Sequence, residues 1–291
     1  MKTEKILLAG ATGYLGQYIL AELLKKEYPT RIVVRNKSKI APSLLTHPLL
    51  EVVEAEVTKA DTLQGVCEGI SGVISAVGIT QQKDGLTYEQ VDYGANKNLL
   101  DEAMRCGVRK MVYISVLNGD AIRHIGIGAA KERFVEALKG SGMSYCIVRP
   151  SAFYSDMGNF LKMAKEGKVR LFGKGQWAMN PIHGEDLAEV CVAQLASAER
   201  EMNVGGSEVL TQTEIARLAF EVLGKPVKIS YLPDWVRRFI LKIGKYVMPR
   251  SAYGVVEFVL TIMGMDSVAP MQIGRHRLKA FFEEVAQGKS R

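Results

Sequence analysis

Three glycines near the amino end of the chain have a spacing that suits phosphate binding. Gly10, Gly13 and Gly16 follow a short apolar run, residues 6–9, and precede a segment with apolar residues at helical spacing. Glycine at such a turn lets the backbone approach a pyrophosphate, which lies at the helix N-terminus beside exposed amides and the positive dipole end. The spacing G-x-x-G-x-x-G departs from the commoner G-x-G-x-x-G, but its strand-turn-helix context is the required one. The segment therefore predicts a dinucleotide site.

The end of the second predicted strand distinguishes NAD from NADP. NAD-binding proteins place an acidic residue there to hold the ribose hydroxyls, whereas a basic residue accommodates a 2′-phosphate. Here the segment reads RIVVRNKSK, and no acidic residue lies between Glu27 and Glu51. Arg35 is the predicted phosphate partner because its guanidinium can bond two oxygens at once, and Lys37 or Lys39 adds positive charge. We therefore predict NADP(H) as the cofactor.

Strand and helix patterns alternate around these residues. Short β-rich runs lie at residues 6–9, 31–34, 50–54, 72–77, 110–115 and 145–148, and helical spacing is clearest at residues 14–26, 88–106 and 129–139. This alternation predicts an α/β fold with a doubly wound, mostly parallel Rossmann-type sheet that carries helices on both faces. The glycine turn then lies between the first strand and the first helix.

The alternation loosens after Arg149 and Pro150. A loop, a helical segment and a short strand pair around VRLFGKGQW follow, and then MNPIHGEDLAEVCVAQLA, whose second half has helical spacing. The sequence TQTE, residues 211–214, has the form of a capping box and predicts a helix start. We therefore predict an NADP-binding Rossmann domain over residues 1–150. A smaller, mainly helical substrate-binding lobe is predicted over residues 151–291, interwoven with the last elements of the first domain.

The composition is typical of a soluble globular protein. Of the 291 residues, 47% are hydrophobic and 24% are charged, and the net charge of +7 comes from basic residues interleaved with acidic ones. Nucleic-acid-binding proteins concentrate their basic residues on one face or tail, so we expect no nucleic-acid partner. The four cysteines form no CxxC or Cys/His cluster, so we expect buried free thiols and no metal site. Apolar runs are too short for a signal sequence or a membrane span, and the cytoplasm is the expected compartment.

Four stretches of the chain carry a family resemblance. They are GATGYLG (residues 10–16), YISV (113–116), AAKERFVEALKGSGMSYCIVRPSAFY (129–154) and NPIHGEDLAEV (180–190). Across the whole chain, the sequence resembles the short-chain dehydrogenase/reductase superfamily, in particular its atypical, NmrA-like branch. The later segment MDSVAPMQIGRHRL is similar to segments of bacterial reductases near the divinyl chlorophyllide reductases.

The resemblance implies a role for several groups of residues. The GATGYLG turn would hold the phosphates, the residues after the third strand would lie near the adenine, and the end of the fourth strand near the adenosine ribose. Lys131 would bond the nicotinamide ribose, and the residues after Arg149 would line the nicotinamide. With Arg35, the predicted cofactor-binding residues are Gly10, Thr12, Gly13, Tyr14, Leu15, Gly16, Arg35, Glu56, Val57, Ala76, Val77, Gly78, Lys131, Pro150, Ser151 and Phe153.

The catalytic residues of the main superfamily are only partly present. Its members protonate or deprotonate the substrate with a tyrosine four residues before the lysine, whose charge lowers the tyrosine pKa, and a serine from the fifth strand assists. Here Ile127 stands at the tyrosine position before Lys131, whereas Ser115 ends the fifth predicted strand. His124 and Tyr154 are the alternative proton donors: His124 shares a helical face with Lys131 if the helix extends that far, and Tyr154 follows the Arg-Pro turn. The competing interpretations are a solvent-exposed histidine and a pocket-wall tyrosine.

Two functions are compatible with the missing tyrosine. An NADP(H)-dependent oxidoreductase that reduces a lipophilic enone, vinyl or carbonyl compound can take its proton from another side chain or from water. Alternatively, the chain binds NADP(H) without turnover, as a redox sensor or scaffold protein of the NmrA type. We predict the reductase, with a small lipophilic molecule as its substrate and Lys131, Ser115, Tyr154 and His124 as its catalytic candidates.

Residues 233–264 contain a basic amphipathic helix followed by a short apolar segment. Val236, Phe239, Ile240, Ile243 and Val247 fall on one face of the helix, and Arg238, Lys242 and Lys245 fall on the other. Such a helix most often packs on its own domain, but it can also lie on an anionic membrane surface. The apolar segment VVEFVLTIM is too short to span a bilayer. It would serve as a pocket wall or as a subunit contact in a homodimer.

Overall fold

The computed structural model describes residues 4–79 and 85–289. In chain order, the strands are β1 (Ile6–Ala9), β2 (Thr30–Val34), β3 (Leu50–Glu54), β4 (Gly72–Ser75), β5 (Lys110–Ile114), β6 (Ser144–Pro150), β7 (Val169–Phe172), β8 (Ala178–Met179), β9 (Glu201–Gly206), β10 (Leu210–Thr211), β11 (Ile229–Leu232) and β12 (Met271–Ile273). The α-helices are α1 (Tyr14–Lys25), α2 (Pro42–Leu45), α3 (Asn96–Arg105), α4 (Gly126–Gly140), α5 (Tyr154–Lys165), α6 (Gly184–Ala193), α7 (Gln212–Val222), α8 (Asp234–Val247), α9 (Arg250–Ile262) and α10 (Leu278–Ala286).

Two compact units divide these elements. The first unit runs up to Arg149 and takes in Leu187–Met202, and the second contains Pro150–Asp186 and the chain from Asn203 onward. The chain thus passes from one unit to the other three times. The assignment of the later residues to a substrate-binding lobe stays a prediction.

The first unit contains a parallel sheet in the order β3-β2-β1-β4-β5-β6. This strand order is the one found in doubly wound dinucleotide-binding folds, with the topological switch point between β1 and β4. Every residue of β1 is buried, as expected when helices cover both faces of a parallel sheet. The predicted α/β, Rossmann-type fold class is confirmed.

Two helices of the first unit differ from their predicted boundaries. The segment predicted as one helix over residues 88–106 is wound more widely, as a π-helix, over Glu89–Ala95 before α3 begins. There the Asn96 side-chain amide donates to the Asp92 carbonyl at 2.9 Å, and so satisfies a backbone acceptor of that wider turn. Helix α4 begins at Gly126, earlier than predicted, because a Cβ at Gly128 would overlap the Ile122 carbonyl and glycine allows the close approach.

The second unit is built from helices and short strands. Strands β7 and β11 form a parallel two-stranded sheet and β8 and β10 an antiparallel one. Strands β9 and β12 also pair in parallel. Helices α5, α7 and α10 share an apolar core with Tyr154, Phe220 and Phe282 among its fully buried side chains. The predicted capping box at residues 211–214 is confirmed, since the Thr211 amide donates to the Glu214 carboxylate and the Glu214 amide to the Thr211 hydroxyl.

The cysteines and the lengths of the helices bear on two further predictions. All four cysteines are free thiols, as predicted. Cys67, Cys146 and Cys191 are also buried as predicted, whereas Cys106 is only half-buried. Burial raises the pKa of the Cys67 thiol to about 12. Within residues 4–79 and 85–289, no helix has both the length and the apolar character needed to cross a membrane.

Candidate functional site

A cleft opens at the carboxyl ends of β1 to β4 in the first unit. Its volume is about 200 Å³. It lies at the switch point of the sheet, where doubly wound folds bind their ligands. Its lining residues are Gly10, Thr12, Gly13, Val33, Val34, Arg35, Ala55, Glu56, Val57, Thr58, Ala76, Val77, Gly78, Ile79, Leu86 and Val91. This set contains eight further predicted cofactor-binding residues besides Arg35.

The turn between β1 and α1 requires glycine for steric reasons. Gly10 has a φ of +85°, and a Cβ there would lie 2.7 Å from the Ala76 carbonyl oxygen. A Cβ at Gly16 would overlap the Gly10 carbonyl. The Gly13 amide donates to the Gly10 carbonyl at 3.0 Å and closes the turn. Without glycine at residues 10 and 16, the helix could not start so close to the strand.

The N-terminus of α1 is suited to an anion. The preceding residue, Gly13, has no side chain to cap the helix, and the first turn contains no acidic residue. The positive end of the helix dipole and the backbone of the first turn therefore suit a phosphate group. Of the other predicted residues of the turn, Thr12 lines the cleft, Tyr14 packs edge-on against Tyr18, and Leu15 is buried. The turn thus fits a dinucleotide diphosphate, and each residue's contact with it stays a prediction.

Arg35 and the residues after β3 line the same cleft. Arg35 follows the last residue of β2 and is solvent-exposed, so its guanidinium is at the strand end where a 2′-phosphate is recognised. The backbone amide of Lys37 is 3.5 Å from the Glu54 carboxylate, and the side chain of Lys39 lies outside the described part of the chain. After β3, Thr58 donates to the Glu56 carboxylate at 3.0 Å, which fixes the shape of the loop predicted to contact the adenine.

A buried ion pair lies against Gly78. The Lys131 ammonium is 3.0 Å from the Asp92 carboxylate, which is completely buried. A Cβ at Gly78 would come within 2.8 Å of the Asp92 carboxylate and 3.0 Å of the Lys131 ammonium. The Ile79 amide also donates to Asp92, at 3.4 Å. Because Gly78 lines the cleft, the pair brings a cation to the β4 side of the cofactor cleft.

In this ion pair, burial and the neighbouring groups shift the pKa values in opposite directions. Burial by itself would lower the pKa of Lys131, but the neighbouring Tyr113 and Asp92 groups outweigh it and raise that pKa. Burial raises the pKa of Asp92, and the Lys131 ammonium opposes the rise. The Lys131 ammonium is 5.6 Å from the centre of the Tyr113 ring, and burial raises the pKa of this phenol to about 12. Lys131 is therefore protonated, and Tyr113 neutral, at physiological pH.

Ser115 lies in a separate buried network. Its hydroxyl donates to Glu132 at 3.3 Å and accepts from Arg149 at 3.4 Å. Arg149 forms two hydrogen bonds with Glu132, one of them from Nη2 to Oε2 at 2.8 Å. The Arg149 Nε donates to Glu201. The hydrogen-bonding capacity of Ser115 is thus engaged by an ion pair that orders the ends of β5 and β6.

The two alternative proton donors have well-defined partners. His124 is exposed, lies before the first residue of α4, and has its Nδ1 3.1 Å from the Ala121 carbonyl oxygen. The condition for its sharing a helical face with Lys131 is not met, because α4 begins only at Gly126. Tyr154 belongs to the core of the second unit, and its hydroxyl donates to the His276 carbonyl at 3.0 Å.

The predicted residues after Arg149 also belong to the second unit. The Ser151 hydroxyl donates to the Ser267 carbonyl, and the Phe153 amide donates to the Asp156 carboxylate at 3.3 Å as α5 begins. Pro150 is buried as the last residue of β6. Their contact with a nicotinamide stays a prediction.

One group of metal-ligand residue types is present in the described chain. The ligand atoms of His183, Glu185 and His276 lie within 4.8 Å of one another. Each histidine has other partners: His276 Nδ1 is 2.9 Å from the Asp186 carboxylate, and His183 Nδ1 accepts from the Glu185 amide at 3.3 Å. The two rings stack with centroids 4.0 Å apart. Burial, followed by the neighbouring His276, lowers the pKa of His183, so this ring is neutral near pH 7.

Sequence reasoning missed Asp92, Glu132 and Arg149 as partners of candidate residues. Asp92 stands within VDYGANKNLL, where helical spacing predicts a helix and gives no sign of which face carries a buried charge. The one available signal was the polar residue itself at a position between apolar neighbours. Its partner, Lys131, lies nearly forty residues further along the chain, beyond the reach of any local pattern.

The cleft at the switch point of a doubly wound sheet, with a glycine turn at its centre, defines the class of dinucleotide-binding proteins. A family model described as NAD(P)H-binding matches residues 10–198. The chain therefore belongs to this NAD(P)H-binding family. The resemblance to atypical short-chain dehydrogenases/reductases is confirmed, whereas the finer assignment to an NmrA-like branch stays a prediction.

The relatives of this chain have names that describe different functions. A chloroplastic divinyl chlorophyllide a 8-vinyl-reductase of Arabidopsis thaliana is 27% identical over 82% of this chain and 62% of its own length, so less than two thirds of the relative is matched. A photosystem II assembly factor of Trieres chinensis is 24% identical over 86% of this chain and 81% of its own length. The fold is shared with an NADPH-dependent quinone oxidoreductase of Escherichia coli solved with NADPH, at a TM-score of 0.72 and 19% identity over 97% of this chain and 99% of that one.

Proposed function

We propose that the chain is an NADP(H)-dependent oxidoreductase that reduces a lipophilic enone, vinyl or carbonyl compound. The observation that carries the proposal is the pair of cations on either side of β1: Arg35 after β2, and Lys131, paired with Asp92, beside Gly78 after β4. The vinyl reduction named for the Arabidopsis relative and the NADPH in the Escherichia coli neighbour support it.

Each element of the cleft has a part in holding the cofactor under this proposal. The glycine turn takes the diphosphate, Arg35 the 2′-phosphate, and the Lys131 ammonium the ribose next to the nicotinamide. The bound cofactor supplies a hydride. Asp92 keeps Lys131 in place because a buried carboxylate 3.0 Å away attracts the ammonium as an ion pair.

The missing phenol favours a substrate with an activated carbon-carbon double bond. Ile127, which stands four residues before Lys131, is buried, and its alkyl side chain has no acidic proton to donate. Reduction of a conjugated double bond needs polarisation of the conjugated group and a proton that a water molecule can deliver. Reduction of an isolated carbonyl would call for a positioned acid near the oxygen. A conjugated vinyl or enone compound therefore fits the chain better than a simple ketone does.

Deuteride transfer tests this proposal. Purified protein is mixed with NADPH carrying deuterium on one face of C4 and with a panel of conjugated vinyl compounds, enones, quinones and ketones. We expect NADPH oxidation with one class of conjugated compound, and deuterium at one product carbon from one face only. Tight NADPH binding with no deuterium transferred to any member of the panel would contradict the proposal.

The second candidate is an NADP(H)-binding sensor or scaffold protein without turnover. Ser115 is occupied by Arg149 and Glu132, and the Trieres relative is named as an assembly factor. This candidate predicts that NADPH and NADP⁺ bind with different affinities and that neither is consumed. The deuteride experiment separates the two candidates, because only the reductase moves the label.

A further inference from the structure

Helix α8 exposes a continuous apolar face. Trp235, Phe239, Tyr246 and Val247 are 66%, 56%, 75% and 72% exposed, and Ile243 is also exposed. Phe239 and Ile243 follow Trp235 by four and eight residues, and Tyr246 and Val247 follow it by eleven and twelve. At helical spacing, all five therefore lie along one side of the helix. The prediction that this face packs on its own domain is therefore wrong for Phe239, Ile243 and Val247. Large apolar side chains gathered on one exposed face mark an interaction surface.

The opposite side of α8 is fixed by α9. The Tyr253 hydroxyl donates to the Leu241 carbonyl at 2.9 Å, and Arg237 donates to the Leu260 carbonyl at 3.0 Å. Gly244 is the buried residue of α8, and a Cβ there would be 3.0 Å from the Tyr253 ring. Because these contacts hold one side of α8 against α9, the helix cannot rotate to bury its apolar side without breaking them.

Basic residues border the apolar face. Arg238, Lys242 and Lys245 are exposed, and the Lys245 ammonium is 4.8 Å from the Tyr246 ring centre. Asp234 is the only acidic residue of α8, and it is bonded to Arg237 and Arg238. The exposed border therefore carries a net positive charge beside an apolar face that contains a tryptophan and a tyrosine.

We propose that α8 lies on the surface of an anionic phospholipid membrane, with its apolar face at the headgroup boundary and its basic border facing lipid phosphates. Interfacial helices combine a large apolar face with lysine and arginine on the polar side, and tryptophan and tyrosine favour the depth of the headgroups. The helix rests on the membrane and does not enter it, in keeping with the absence of a membrane-crossing helix among residues 4–79 and 85–289.

A second copy of the chain is a poorer occupant of this face. In a two-fold contact the same patch meets itself, which would bring the border of Arg238, Lys242 and Lys245 towards its own copy. Like charges brought together in this way oppose association. An anionic lipid surface removes that conflict, because its charge is complementary to the border along the whole helix.

Vesicle flotation tests the membrane proposal. Full-length protein is mixed with vesicles of phosphatidylcholine alone or of phosphatidylcholine with phosphatidylglycerol. We expect flotation with the anionic vesicles and much weaker flotation with the neutral ones. The triple variant W235S/F239S/Y246S should bind the anionic vesicles roughly 100-fold or more weakly. The variant K242E/K245E should bind roughly tenfold or more weakly at low salt, with the difference shrinking as salt screens the charges.

Matched variants control for general changes in surface character. V209S/V227S/M271S removes three exposed apolar side chains elsewhere on the second unit, and K168E/K174E makes the same charge change at other exposed lysines. Both should float like the unaltered protein, and all variants should keep the native circular dichroism spectrum. The proposal is overturned if the unaltered protein stays in the lipid-free fraction. It is also overturned if W235S/F239S/Y246S floats with the anionic vesicles as well as the unaltered protein does. Sedimentation of a lipid-free dimer that only the triple variant dissociates, without vesicle binding, would assign the face to a second copy instead.

Discussion

Gly78 is the residue at which the cleft and the buried charges meet. It lines the cleft, and any side chain there would collide with Asp92 and Lys131. Arg35 stands after the neighbouring strand β2, across β1. Under the proposed function, two cations with different surroundings contact one elongated ligand: Arg35 is exposed to solvent, whereas Lys131 is only 12% exposed and is paired with a carboxylate. Their removal should have different consequences.

Replacing Arg35 should change the choice between NADPH and NADH. We expect Arg35→Ala to weaken NADPH binding by about 10- to 100-fold, the equivalent of charge-assisted hydrogen bonds worth about 1.5–3 kcal/mol. NADH binding should be unaffected, because NADH has no 2′-phosphate. Titration calorimetry with both cofactors measures the ratio of the NADPH and NADH affinities. The NADPH affinity of Arg35→Lys should fall between those of Arg35→Ala and the unaltered protein. An equal loss for NADPH and NADH would show that Arg35 does not contact the 2′-phosphate.

Replacing Asp92 should lower stability and cofactor affinity together. Asp92→Asn leaves Lys131 buried without its opposite charge, and we expect a loss of about 3–5 kcal/mol in the free energy of unfolding. Urea denaturation measures this loss, and the double variant D92N/K131M should regain part of it. Glu89→Gln is the control, because its pair with Arg133 is exposed and worth about 0–1 kcal/mol. Additive effects of D92N and K131M would contradict the coupling.

The local sequence predicts where some helices of the first unit begin, but not others. The glycines around α1 were predictable, because a strand, a tight turn and a helix are all encoded within a few residues. The boundaries of α4 and the wide turn before α3 were not, since they depend on Gly128 meeting Ile122 and on Asn96 meeting the Asp92 carbonyl. Spacing gives the type of element, and tertiary contacts decide where it begins.

Substituting two helical glycines should have opposite effects. Gly16→Ala would place a methyl group on the Gly10 carbonyl, and we expect it to lower the free energy of unfolding by about 3 kcal/mol and to abolish NADPH binding. Gly158 lies inside α5, and a Cβ there meets nothing within 4 Å. Gly158→Ala should therefore raise stability by about 0.5–1 kcal/mol through helix propensity. Thermal unfolding followed by circular dichroism compares them, and similar effects at the two sites would refute the packing argument.

Glu102 ties α3 to the loop between β3 and β4 and should make the free energy of unfolding depend on pH in the acid range. Its carboxylate accepts from the Gly65 amide at 2.7 Å and from Arg105 at 2.8 Å. Hydrogen bonding to Arg105 lowers the pKa of Glu102 below 4.5, against the effect of burial. A carboxyl group with a lowered folded-state pKa stabilises the protein above its unfolded pKa, and this contribution disappears as the pH falls through the folded value.

The variant Glu102→Gln measures that contribution. At pH 7 we expect it to unfold about 1–3 kcal/mol more easily, and the difference from the unaltered protein should shrink as the pH falls below 4.5. Glu221→Gln, at an exposed pair with Lys279, should change stability by about 0.5 kcal/mol or less at every pH. Urea unfolding at a series of pH values provides the comparison. A difference that stays constant down to pH 3 would mean that the Glu102 charge contributes nothing.

The division of the whole chain into two units is only partly visible in the sequence. Regular alternation ends near Arg149, and that change is visible in the sequence. The return of Leu187–Met202 to the first unit has no such signal, because an amphipathic helix does not identify the core on which it packs. Leu187 and Cys191 are fully buried, and the Ile147 amide donates to the Arg200 carbonyl at 2.8 Å. The first unit is thus completed by a segment that follows it by nearly forty residues.

A fragment that ends at residue 149 should therefore fail to fold cooperatively. It keeps the glycine turn and Lys131 but lacks Glu201, to which both Arg149 and Lys139 are bonded, and the buried side chains of α6. Arg149 and Glu132 would remain at an uncovered edge, where an incompletely paired charge network is destabilising. We expect no cooperative urea transition and no measurable NADPH binding for this fragment, whereas the full chain shows both. A cooperative transition together with full-strength NADPH binding by the fragment would mean that the returning segment is dispensable and that the first unit is complete at Arg149.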